Sequence, residues 1–112
     1  MEISIENAGP YNSVRLYGQL DSQGAGSIYD AIVGLGSLGP GKVVVDMGSV
    51  THATRAGCGA LFVAAKLLHV RTGHKLFIYN TTCEIARLFE SSGYNHMIQV
   101  HRRSRIQSAF AA

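Results

Sequence analysis

Residues 50–59 read VTHATRAGCG and bring together two threonine hydroxyls (Thr51, Thr54), a histidine (His52), an arginine (Arg55) and a thiol (Cys58). An apolar run, KVVVD, enters this stretch and a second apolar segment leaves it. It therefore reads as a strand-to-helix turn, the place where α/β proteins usually keep their ligands. Acid–base chemistry needs a second carboxylate near the first, and the loop after Asp46 offers none. A thiol in the first turn of a helix can be activated. Cys58, however, sits between Gly57 and Gly59, where a small apolar side chain packs, and it is read as a packing residue. The five histidines, His52, His69, His74, His96 and His101, fall at no metal-ligand spacing, so no metal is expected. The glycine-rich GLGSLGPGK (residues 34–42) follows a helix and opens a strand, the reverse of a phosphate-binding loop. No cofactor and no enzymatic activity are expected.

Arg55 is the unusual residue. The first turn of a helix carries partial positive charge, so a cation there costs about 0.3–1 kcal/mol. Two readings stand. Arg55 is an exposed residue without a role, or its planar donor fork joins the free N–H groups of the helix start to take a carboxylate or phosphate from a partner. Thr54, just before the helix, suits an N-cap worth ~1 kcal/mol; phosphorylation of its hydroxyl is the lesser alternative.

The elements that must hold this turn follow from hydropathy patterning. MEISIE and SVRLYG alternate, as half-exposed strands do, and the Gly-Pro between them makes an antiparallel pair. Ile28, Ile32 and Leu35 mark one face of a glycine-weakened helix, with Asp21 or Ser22 at its start. KVVVDM reads as a central strand covered on both faces. Residues 57–72 form a helix whose apolar arc includes Leu61, Ala64 and Leu68 and also Ala60, Val63 and Leu67. So wide an arc predicts a well-buried helix, ended by Gly73. HKLFIY is a strand. Thr81 and Glu84 suggest a capping box before Ile85, Leu88 and Phe89, with Gly93 as the stop. HMIQV is a short strand and RRSRIQSAFAA a last helix. The order β-β-α-β-α-β-α-β-α predicts an α/β fold: one mixed sheet, an antiparallel pair followed by βαβ units, flanked by about four helices.

Composition sets the outer limits. The 112 residues fit one domain, and 46% apolar content fits a globular one. No run approaches the ~20 apolar residues that span a bilayer, and MEISIENAG lacks the signature of a signal peptide. A cytoplasmic location is expected, where Cys58 and Cys83 are free thiols. The net charge is +3, and HRRSR (residues 101–105) holds three of the ten basic residues. With Ile106, Ala109 and Phe110 at helical spacing beside it, that cluster is the solvated side of a helix; no nucleic-acid partner is expected.

Several patterns across nearly the whole chain, residues 1–112, resemble the STAS family, the domain shared by sulfate transporters and bacterial anti-sigma-factor antagonists. VRLYGQLD resembles the family's strand followed by Gly-x-Leu-Asp. KVVVDMGSVTHATRAGCGALFVAAK resembles its central strand, switch and buried helix. GHKLFIYNTTCEIARLFESSGYNHMIQVH resembles its closing strand and helix. The resemblance implies a non-enzymatic, cytoplasmic module for signal transduction and transcription regulation through partner switching. Family switches carry Asp-Ser-Ser/Thr-Gly, and a partner that is both anti-sigma factor and serine kinase phosphorylates the first serine. The matching positions here are Thr54, Arg55, Ala56 and Gly57. Arg55 takes no phosphate, so the resemblance implies constitutive binding or another form of control. The implied partner surface is Asp21, Thr51, His52, Thr54, Arg55, Ala56, Gly57 and Cys58, and the implied partner an ATPase-type anti-sigma kinase. Alternatives are a cytoplasmic STAS subunit docked on the ATPase of a lipid transporter and an anion- or nucleotide-binding sensor. A homodimer, through the MEISIEN edge or by helix packing, is a further expectation.

Overall fold

The computed structural model describes residues 2–8, 11–37, 42–91, 93 and 96–103. The elements run β1 (Glu2–Ala8), β2 (Tyr11–Leu20), α1 (Ala25–Ser37), β3 (Lys42–Ala53), α2 (Arg55–Thr72), β4 (Leu76–Thr81), α3 (Cys83–Glu90) and β5 (Ile98–Arg102). They form one five-stranded sheet in the order β1-β2-β3-β4-β5. β1 is antiparallel to β2, and every later pairing is parallel. This is the expected α/β architecture with three described helices. The helix anticipated at the C-terminus and the glycine–proline loop after α1 lie outside the described residues, apart from Arg102 and Arg103. Arg102 belongs to β5 instead, paired with Thr81.

Each parallel pair needs a crossover, and the helices supply it. The core lies between them and one face of the sheet. Val14, Leu16, Val43, Val45, Leu76 and Ile78 are all fully buried there, against Ile28 and Ile32 of α1, Leu61 and Ala64 of α2 and Phe89 of α3. The period of two along each strand sends the alternate residues to the opposite face. Among the described residues that face is polar and open. Arg15 Nε lies 3.2 Å from Asp46 Oδ2, and Tyr79 stacks on His101 with ring centroids 4.4 Å apart. Among the described residues β3 is therefore covered on one face, not two. Its unbroken valines reflect β-branched preference for strand, and Val44 is only half-buried.

Two local expectations also change. β3 runs on to Ala53 instead of ending near Asp46, with irregular register against β2. Thr81 is buried in β4, its hydroxyl donating to the His101 carbonyl, and Thr82 caps α3 by accepting from the Ile85 N–H at 3.3 Å. Shifting the cap by one residue removes the capping box, since Glu84 no longer stands three positions after it. At the β1 edge, exposed Glu2, Ser4 and Glu6 guard an otherwise open row of backbone groups.

Candidate functional site

Because β2 and β3 are parallel, their carboxyl ends reach the same edge of the sheet. There β3 passes into α2 through the single residue Thr54. The Thr54 N–H donates to the Leu20 carbonyl at 3.0 Å, and the Thr51 hydroxyl donates to the Gly18 carbonyl at 3.3 Å. These bonds tie the two strand ends together. Thr54 is extended (φ −111°, ψ 163°), and its Oγ1 accepts from the Gly57 N–H at 3.1 Å. It is the N-cap that the sequence suggested. At the other end, Gly73 takes the left-handed φ of 76° and donates to the His69 carbonyl at 2.8 Å.

Gly57 has a steric reason to be glycine. A Cβ there would run into the carbonyl of Leu20 and stand 2.7 Å from the Asp21 amide nitrogen. The start of α2 thus lies directly on the end of β2. Asp21 uses Oδ1 to accept from the Gln23 and Gly24 N–H groups at 3.1 and 3.3 Å. Its carboxylate organises the turn into α1 and does not cap the helix itself, which begins at Ala25.

Arg55 and Ala56 occupy the first two positions of α2 and are exposed, as are Thr51 and His52. Gly57 and Cys58, also expected on the partner surface, are both buried, though Cys58 lines the hollow beside Arg55. Burial pushes the Cys58 thiol up to about 11, the opposite of activation. The first turn of α2 contains no acid. The ion pairs found among the described residues are Arg15–Asp46 and Arg102–Glu90, so Arg55 forms none with another described residue.

The structure adds a second wall that the sequence reading missed. Arg55 borders a hollow of about 110 Å³ with Phe62, Leu88 and Ser91. Across Leu88 an open groove of about 620 Å³ separates residues 51–53 from Thr82, Cys83 and Glu84. β4 lies beside β3, so α3 necessarily begins next to the turn. The signal was the strand order, which the sequence leaves implicit. Cys83 is exposed at the start of α3, and both cysteines are free. Among the described residues no three His, Cys, Asp or Glu side chains gather as metal ligands, and no helix is long and apolar enough to cross a membrane.

On the opposite face, burial raises the pKa of Asp46. Hydrogen bonds from the Asn80 side chain (3.0 Å) and the Gly48 N–H (2.8 Å), with the charge of Arg15, outweigh it and leave the carboxyl below its ordinary value.

A family profile for the STAS domain matches residues 3–109, and the chain belongs to that family. Solved structures agree on the fold. The anti-sigma factor antagonist SpoIIAA in its unphosphorylated form superposes with a TM-score of 0.71 at 13% identity, covering 98% of this chain and 96% of that one. A putative anti-sigma factor antagonist from Thermotoga maritima gives 0.74 at 9% identity, covering 97% and 92%. The murine anion transporter Slc26a9 gives 0.68 at 13% identity; 95% of this chain matches 18% of the transporter. No curated protein matches the sequence.

Proposed function

We propose that the chain is a non-enzymatic interaction module of the anti-sigma-factor-antagonist kind, acting in the bacterial cytoplasm. It docks through Asp21, Thr51, His52, Thr54, Arg55 and Ala56, with the α3 wall as a second border. Arg55 carries this reading. It is an exposed cation at a helix start, a position that favours anions, and no described carboxylate forms an ion pair with it. The N–H groups and the guanidinium together suit an acidic or phosphorylated residue of a partner. The partner class in best accord with the fold is a kinase-type anti-sigma factor. Arg55 at the expected phosphoacceptor position makes binding independent of phosphorylation there. Thr54 already uses its hydroxyl oxygen as the cap.

In a binding titration with that partner, Arg55→Glu reverses the charge and weakens affinity at least about tenfold, a loss of about 1.4 kcal/mol, without lowering Tm. Unchanged affinity contradicts the docking role. The family resemblance leaves a second reading, a subunit docked on the ATPase of a lipid transporter. Recovery of ATPase and permease subunits with the tagged chain would favour it.

A further inference from the structure

The outer side of α2 is apolar where a surface helix should be polar. Its inner side, from Gly57 to Leu68, is buried in the core. The rest of the wide apolar arc is left open among the described residues: Val63 is 57% exposed and Val70 73% exposed. With Ala56 (exposed) and Ala60 and Leu67 (half-buried) they occupy positions 56, 60, 63, 67 and 70. The spacings are four, three, four and three residues, the repeat of a coiled-coil seam. A narrow seam of this kind fits a second helix and not a wide lipid-facing arc. Gly59, half-buried beside Val63, has nothing within 4 Å of where a Cβ would stand, so a partner can approach the backbone closely.

Charge decides the occupant. The ionisable residues of α2 are Arg55, Cys58, Lys66, His69 and Arg71, with no acid among them. Lys66 and Arg71 are exposed on either side of the seam. Two copies packed along this face would set like charges against each other. A helix with an apolar seam and acidic flanks would instead pair with them.

We propose that the outer face of α2 docks an amphipathic helix of a protein partner, with an apolar heptad seam flanked by Asp or Glu. The seam shares only Ala56 with the turn at the sheet edge and otherwise runs along the helix away from it, and the proposal holds whether or not Arg55 binds anything.

The probe is a synthetic peptide of about four heptads with Ile and Leu in the seam and Glu at both flanking positions; the like charges keep it from pairing with itself. A control peptide carries Lys at the flanks. Fluorescence anisotropy with the full chain should give a Kd of about 10 µM or tighter for the Glu peptide, weakening with salt, and none for the Lys peptide. Val63→Asp should weaken binding at least about tenfold with Tm unchanged, because Val63 faces solvent. Lys66→Glu with Arg71→Glu should exchange the preference for the Lys peptide. The proposal is overturned by equal binding of the two peptides or by binding of neither at about 100 µM. It is also overturned if the seam proves to bind phosphatidylcholine–phosphatidylglycerol vesicles, or to pair with a second copy in sedimentation, in place of the peptide.

Discussion

Arg55 stands where a helix favours an anion, and neighbouring residues make that position rigid. Thr54 caps the helix and also ties it to the Leu20 carbonyl. Gly57 lets the helix start rest on the end of β2. Gly57→Ala should therefore cost roughly 1–3 kcal/mol in denaturant unfolding, since the neighbour in the way is backbone and cannot rotate aside. A loss below about 0.5 kcal/mol, typical of a surface change, would contradict that close approach. The thiols divide by burial. Native protein should react with a thiol reagent at Cys83 and leave Cys58 untouched until it unfolds, because burial holds Cys58 in its protonated form. Mass mapping of the modified cysteine checks this, and native modification of Cys58 would contradict it.

At the scale of elements, the strand ends and helix starts make the site, and the open sheet face carries its own polar network. Asp46 ties β2 to β3 through Arg15 and is held by the Asn80 side chain and the Gly48 N–H. Its folded pKa lies below the unfolded value, so its stabilisation is present at neutral pH. That contribution is lost as pH falls below the ordinary carboxylate range, about 4. Asp46→Asn should lower stability at pH 7 by ~1 kcal/mol, and the gap to wild type should close on acidification. Thermal melts across that range measure it, and a gap that widens toward low pH contradicts the assignment. α2 shows how an element can mislead. Its wide apolar arc predicted deep burial, yet among the described residues only the inner half is covered. The same arc read as a heptad seam explains why Val63 and Val70 are left in solvent.

For the whole molecule, the order of strands and helices was legible because the first two strands alternate, β3 and β4 are short apolar runs, and α2 and α3 have helical period. The cap at Thr54, the stop at Gly73 and the antiparallel first pair followed from residue type. What was not legible depended on neighbours in space. KVVV reads the same whether one or both faces are covered. Thr81 and Thr82 are equivalent caps until the length of β4 is known. The α3 wall of the site needs the β3–β4 pairing. Family membership rests on the match over residues 3–109, while the proposed partner rests on chemistry at one edge of the sheet.

That partner is the point to test. The tagged chain and its Arg55→Glu variant would be captured side by side from the native cells and analysed by mass spectrometry, including phosphopeptides. The account predicts a kinase-type anti-sigma factor held by the wild-type chain, lost or strongly depleted with Arg55→Glu, and no phosphate on residues 51–58. The same partners at the same yield with both proteins, or a wild-type chain phosphorylated at Thr54, would contradict it.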